Sequence, residues 1–462
     1  MESAPNIIVC TCDQLRAHEV GCYGNSVIQT PSIDRLAAAG LRFEHAVTNY
    51  PVCMPGRSVL ISGQHNRWCT GGSTNITVPG PGGRGFFPQY PEHGRPHLKD
   101  PTLAETLREA GYETATIGKW HIHSWPEDVG FDSYVIPRVN HCHLGQSFTE
   151  NGGVEFVPEG YSVDYEAGRV EQFLQGRRRS GNPFFLYYNI SPPHCPFGDA
   201  PEGYLRMYDP DSIPIRANVD LDTPLKGQEN AFRVYRWDFR YYNHRLPATM
   251  RLPDGYSLRH LIAEYYGLVT WVDDTVGRML DTLERTGLGE NTIVVFTSDH
   301  GDNLGSHGLV QKGGPNEESV RVPLIVRLPG SGVSGQVNQT HVAGLVDLAP
   351  TLLALIGAEA PGHFHGRDLA PLCRGQSSET APHTFVETGG GAAVRTPDHM
   401  YYLPFADTGR ELAARPSQFF DLTDDPYQLR NLAEETPLPG IARELDQTLR
   451  RWDARTPWAA LG

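Results

Sequence analysis

The sequence predicts an α/β fold with a large, mostly parallel central sheet flanked by helices, followed by a smaller C-terminal α+β module with an antiparallel sheet. Three observations carry this. Short continuous apolar runs at 6–12, 184–190 and 292–297 have the character of strands buried on both faces. Helical patterns with recognisable start and stop residues lie between them. Past residue 375 the pattern changes to short strands separated by turn residues.

Taken in order, Asn6-Ile7-Ile8-Val9-Cys10-Thr11-Cys12 is the first strand. Thr30-Pro31-Ser32 opens a helix that closes at Gly40, with Pro in the first turn and Gly past the end. After Cys53 a helical pattern stops at Gly63. A helix over 102–110 stops at Gly111, and 112–118 is rich in strand formers. The run 184–190 is a second buried strand, and 258–286 reads as a long amphipathic helix ending at Gly287. Strands at 292–297 and 322–328 complete the large sheet. In the tail, 385–388, 393–396 and 400–403 read as strands, and about 439–452 as an amphipathic helix. The boundary is placed near residue 375, giving a catalytic α/β domain over 1–375 and a small antiparallel-sheet subdomain over 376–462. The segments 73–99 and 201–251 are irregular, the first rich in Gly and Pro, the second in Arg and aromatics; they read as walls of a substrate pocket.

Composition narrows the function. A net charge of −15 argues against nucleic acid or an anionic membrane as partner. If the substrate is an anion, the pocket must be locally positive within an acidic chain. The eight cysteines contain no Cys-x-x-Cys pair and predict neither a disulfide framework nor a zinc site. No apolar run approaches a membrane span. The N-terminus lacks a basic region and a cleavage site, which predicts a cytoplasmic protein, or a periplasmic or secreted one if an export signal preceded it.

Chemistry concentrates just past strand ends. Asp13-Gln14 follows the first strand and Asp299-His300-Gly301-Asp302 the strand at 292–297. Ligands of open α/β sheets bind outside the carboxyl ends of strands, so these acidic groups can meet. Gly301 is read as allowing a tight turn after two site-facing side chains. Carboxylates, an amide oxygen and an imidazole suit Ca²⁺, with Mg²⁺ or Mn²⁺ as alternatives. Lys119, His121, His194 and Lys312 supply candidate cations, three of them just past strand ends.

Cys53-Met54-Pro55-Gly56-Arg57 resembles the signature of the formylglycine-dependent (type I) sulfatases, members of the alkaline phosphatase superfamily. Gly118-Lys119-Trp120-His121 resembles that family's GKWH element, and Pro193-His194-Cys195-Pro196-Phe197 its P-H-x-P-F element. The segment 302–308 with Lys312 resembles the one that brings in its second lysine. The resemblance runs nearly the full length, through 393–396 and 420–426 in the tail. It implies that a formylglycine-generating enzyme oxidises Cys53 to formylglycine, whose hydrate is the nucleophile. It implies a metal held by Asp13, Gln14, Asp299, His300 and the modified Cys53. Arg57, Lys119, His121, His194 and Lys312 are the implied catalytic set, and an aryl or carbohydrate sulfate monoester, a small molecule or a saccharide, is the implied substrate. Many family members carry Asp where this chain has Gln14, and Asn where it has His300. The Gln and His pairing occurs in choline sulfatases and in phosphonate monoester hydrolases, so a phosphonate monoester or phosphodiester hydrolase is the alternative reading. Lys119 and His121 favour the sulfatase, because those hydrolases lack the Lys and His of the GKWH element.

Overall fold

The computed structural model describes all residues except 1–3, 76–77, 80–84, 87–93, 123, 138–140, 178–180, 238–251, 408 and 460–462. Its strands are β1 (Asn6–Asp13), β2 (Leu41–Val47), the two-residue pair β3 (Val78–Pro79) and β4 (Gly85–Phe86), β5 (Glu113–Gly118), β6 (Ser133–Pro137), β7 (Phe148–Glu150) and β8 (Phe184–Pro193). They continue with β9 (Thr292–Ser298), β10 (Leu324–Arg327), β11 (Gln336–Gly344), β12 (Thr384–Thr388), β13 (Gly391–Arg395), β14 (His399–Pro404) and β15 (Gln418–Asp421).

Nine strands form one sheet in the order β11-β2-β10-β9-β1-β8-β5-β6-β7. The central four, β9, β1, β8 and β5, are mutually parallel. β10 and β7 run antiparallel to their neighbours. The strand expected at 322–328 is therefore present but reversed, and the sheet is mixed, mostly parallel.

β1 shows why the apolar runs are continuous. All eight of its residues are buried. Successive side chains of a strand point to opposite faces. Ile8, Cys10 and Cys12 enter the core that holds the Leu258–Thr286 helix. Ile7 and Val9 enter a second core with Val59, Leu60 and Ile61 of the Cys53–Ser62 helix. The Leu258–Thr286 helix is buried over most of its length, more than an amphipathic surface helix would be, because the Ser162–Arg177 and Glu202–Leu205 helices also pack on it.

The second sheet, β12-β13-β14-β15, is wholly antiparallel. Ala392, Val394, Tyr401 and Leu403 pack under the Ala442–Arg455 helix through Leu445, Leu449 and Trp452. The other face, with Ala393, Met400 and Tyr402, packs on Val47, Val320 and Val342 of the large-sheet part. Two buried ion pairs add to this junction. Arg395 pairs with Glu317 at 2.8 Å. Arg67 pairs with Glu387 at 2.6 Å, and its guanidinium carbon lies 4.2 Å from the Trp452 ring and 4.7 Å from the Trp458 ring. Among the described residues no helix is long and apolar enough to cross a membrane.

Candidate active site

Strand register levels the four parallel strands. Gly118 lies opposite Asn189, Asn189 opposite Thr11, and Thr11 opposite Thr297. The chain that leaves each strand therefore emerges at one edge: Lys119 after β5, Asp13 at the end of β1, His194 after β8 and Asp299 after β9. This is the carboxyl edge at which open α/β sheets bind ligands.

Cys53 reaches the same edge from the start of its helix. Val52 before it is extended, and the helix ends with Gly63 at φ 62°, donating its N–H to the Val59 carbonyl. Pro55 falls in the first turn, where its missing N–H costs nothing. Gly56 is required by close approach: a Cβ there would stand 2.8 Å from the Asp299 carbonyl oxygen. Gly301 has the same kind of role. A Cβ would stand 2.0 Å from the Glu318 carbonyl oxygen, and its φ is not left-handed, so the glycine serves packing rather than the tight turn expected.

The donor atoms of Asp13, Cys53, Asp299 and His300 all lie within 4.8 Å of one another, and all four residues are buried. Cys53 Sγ is 3.1 Å from His300 Nε2 and 3.7 Å from Asp13 Oδ1. His300 Nδ1 donates to the Gly301 carbonyl at 2.8 Å, so Nε2 is the nitrogen that faces the cluster, 3.6 Å from both Asp13 Oδ1 and Asp299 Oδ1.

Gln14, the fifth expected ligand, has its amide orientation fixed by its neighbours. Its Nε2 donates to Asp302, and its Oε1 accepts from Lys312 Nζ. A carboxylate only accepts and an ammonium only donates, so neither contact allows the flipped amide. Asp302 is held in turn by the Tyr235 hydroxyl at 2.6 Å. Gln14 has φ 69°, and its backbone N–H donates to Asp299 Oδ1 at 3.1 Å.

Arg57, one turn beyond Cys53, is fully buried, and all three of its guanidinium nitrogens are hydrogen-bonded. It donates to Asp299 Oδ2 at 2.8 Å, Asp13 Oδ2 at 3.1 Å, the Lys119 carbonyl at 3.1 Å and Asn189 Oδ1 at 2.8 Å. Lys119 Nζ sits 2.5 Å from Asp13 Oδ2. His194 Nδ1 donates to the Cys195 carbonyl at 2.5 Å. All the expected site residues thus converge.

The charges interact strongly. Burial works against the charge on Asp13, but Lys119, His194, Arg57 and His300 hold it well below the usual carboxylate range. Burial and the neighbouring Asp13 charge push Asp299 up. Two buried carboxylates, a sulfur and an imidazole nitrogen within 4.8 Å of one another form a donor set that fits a divalent cation. Burial and Asp13 raise the Cys53 thiol, yet Lys312, Lys119 and His300 outweigh them and hold it well below an ordinary thiol. Burial keeps His121 neutral. Burial, Lys312 and Lys119 lower His194 to about 3.

Sequence reasoning missed Asn189 and His141. Asn189 carried a signal: an amide inside an otherwise apolar and aromatic strand. His141 carried none, since it lies in an irregular stretch between β6 and β7. Of the two irregular segments, Asn75 Oδ1 accepts from the Met54 N–H at 3.1 Å, and Tyr235 reaches Asp302. Residues 76–77, 80–84, 87–93 and 238–251 of the expected pocket walls lie outside the described residues, and the described part of the second segment is not irregular throughout, since it holds helices at Glu202–Leu205 and Gln228–Trp237.

The sulfatase family model matches residues 5–358. The chain belongs to the sulfatase family. It is a sulfuric ester hydrolase of the alkaline-phosphatase-like fold. An ulvan-active sulfatase of Formosa agariphila is 26% identical over 97% of this chain and 80% of its own length. An N-acetylglucosamine-6-O-sulfatase of Bacteroides thetaiotaomicron is 28% identical over 96% and 85%. A solved structure described in complex with its substrate D-glucosamine-2-N,6-O-disulfate superposes with a TM-score of 0.79 at 25% identity, covering 98% of both chains.

Proposed function

We propose that this sulfatase hydrolyses a carbohydrate or aryl sulfate monoester, using a formylglycine made from Cys53 by a formylglycine-generating enzyme and a divalent cation, Ca²⁺ first and Mn²⁺ or Mg²⁺ as alternatives. The observation that carries the reading is the position of Cys53 Sγ inside the cluster of Asp13, Asp299 and His300, with Lys119 and Lys312 acting on it electrostatically. Asp13, Asp299, His300 and the residue at position 53 would hold the cation, while the Gln14 side-chain oxygen accepts from Lys312. The cation supplies charge for the sulfate oxygens, and the formylglycine hydrate supplies the hydroxyl that attacks sulfur.

The rest of the chemistry belongs to the chain's own side chains. Lys119 and Lys312 bind the nonbridging oxygens and stabilise charge that grows on them. With Nδ1 committed to Cys195, His194 has Nε2 on the side of Cys53; burial and the two lysines keep the free ring neutral, so the proton it passes to the departing ester oxygen has to be taken up at Nε2 when the anionic ester binds. His121, kept neutral by burial, takes the proton that releases sulfate. Arg57 holds both carboxylates and the Cys53 helix in one frame. The saccharide preference is supported by the relatives named for sugar sulfates and by the neighbour solved with a sulfated glucosamine. A division into a catalytic part over 1–375 and a small part over 376–462 is supported by the second sheet beginning at Thr384.

The test is a hydrolysis screen of sulfate, phosphate and phosphonate esters on protein co-expressed with a formylglycine-generating enzyme. Sulfate esters should be hydrolysed best. Faster hydrolysis of phosphonate monoesters or phosphodiesters would hand the site to the alternative reading.

A further inference from the structure

Besides His300, three histidine rings meet at the pocket, and only two of these have a place in the chemistry above. The third is His141. Its ring stacks on His194 with centroids 4.2 Å apart and planes at 26°. It meets the His121 ring edge-on, with centroids 5.7 Å apart at 69°. One side chain thus touches both histidines assigned to proton transfer. His141 is 4% exposed and holds φ 53°, the left-handed region that non-glycine residues rarely adopt. His121, at φ 47°, shares it. Such backbone is kept where surrounding structure over-determines it, and it concentrates at functional sites.

The contact acts mechanically. The Nδ1 bond to Cys195 anchors one edge of the His194 ring but leaves its tilt open. A ring stacked on its face closes that freedom.

We propose that His141 is a positioning residue that aims His194 at the departing ester oxygen through the ring stack. The inference rests on the reading of His194 as the proton donor. It has a consequence that a purely structural contact lacks. A nitrophenolate leaves without a proton, whereas a sugar alkoxide requires one. Loss of the stack therefore acts selectively on substrates with poor leaving groups.

The experiment compares kcat and KM for a nitrophenyl sulfate and for a sugar sulfate that the wild-type enzyme accepts, in matured, metal-loaded protein. His141→Ala should lower kcat on the sugar sulfate by about ten- to a hundredfold, a part of the ~10²–10⁴-fold that a general acid contributes. On nitrophenyl sulfate kcat should change less than about threefold, following the same principle. KM should stay nearly constant for both. His141→Phe keeps a ring face and should restore most of the loss. If His141→Ala does not fold, His141→Gln, similar in volume and without a ring, takes its place. Equal losses on both substrates would mean a structural role only and overturn the inference. So would a rise in KM confined to the sugar sulfate without rescue by Phe, which would make His141 a direct sugar contact. His194→Ala is the control for the underlying reading. Leaving-group dependence there but not in His141→Ala overturns the positioning role alone. Its absence in His194→Ala removes the proton-donor assignment and the inference together.

Discussion

The guanidinium of Arg57 lies 2.8 Å from the carboxylate of Asp299, and both side chains are closed to solvent. Arg57 is one helical turn from Cys53, and Asp299 follows the central strand β9. The contact therefore sets the distance between the residue to be modified and the carboxylates of the cation site. A second bond from Arg57 to Asp13 at 3.1 Å extends the constraint to β1. Removing one partner of a buried pair is costly, because the other charge is left uncompensated.

Cys53 should be found as the aldehyde or its hydrate in active protein, by mass measurement of the peptide that contains it. Cys53→Ala should abolish turnover and leave the far-ultraviolet circular dichroism unchanged. Full activity from protein carrying only the thiol at this position would refute the assignment.

Chelation should remove activity, and Ca²⁺ or Mn²⁺ should restore it. The cation should also stabilise the fold by mass action, by about 2.7 kcal/mol at a concentration a hundred times Kd. The melting temperature of chelated protein should then rise with added Ca²⁺. In Asp299→Asn the rise should be much smaller, because one of the four clustered donors is weakened. A melting temperature indifferent to divalent ions in the wild type would count against the site.

Lys119 is assigned, on the proposed reading, to the nonbridging oxygens of the sulfate ester. Removing one preorganised donor to a charge that develops in the transition state costs ~2.7–4 kcal/mol. Lys119→Ala should therefore slow sulfate ester hydrolysis by roughly two to three orders of magnitude. A neutral effect on sulfate esters would show that the lysine does not reach the transferring group.

Glu318 predicts the acid limb of stability. Burial opposes its charge, but the hydrogen bond from His307, the Arg216 charge and Asn218 hold its carboxyl well below the usual glutamate value of 4.5. Its folded pKa is lower than its unfolded one, so it contributes stability above about pH 4.5, and this is lost as pH falls towards the folded value. Glu318→Ala should cost about 3–5 kcal/mol at neutral pH, the usual cost of breaking a buried pair. The melting temperature of Glu318→Gln should fall less steeply below pH 4.5 than that of the wild type. Parallel acid limbs would rule out Glu318 as a contributor.

The parts of the fold that the sequence made legible are those that physics writes locally. β1, β8 and β9 are buried on both faces, so they appear as unbroken apolar runs, and each ends in a motif with charge. β2 and β11 were not read, because both are partly exposed and mix polar with apolar residues. The reversed direction of β10 was illegible, since strand direction depends on connections rather than on side-chain pattern. At the site, Asp13, Cys53, Asp299 and Lys119 were legible from their place after strands or in the Cys53 motif. The Gln14 orientation and the His141 stack depend on partners distant in sequence, Asp302 and His194, and on backbone at positive φ. Neither leaves a local pattern.

Cys53 has 1% of its surface exposed, and the groups around it come from chain positions as far apart as 13 and 312. The pocket closes only once β9 and the turn carrying Lys312 have docked, late in synthesis from the N-terminus. An oxidising enzyme that must grip the Cys53 segment therefore has a deadline. A chain that closes first keeps its sulfur. On the proposed reading, the aldehyde fraction of any preparation is the outcome of a race between two rates, and slower synthesis or folding at lower temperature, with more of the oxidising partner, should shift it towards the active form.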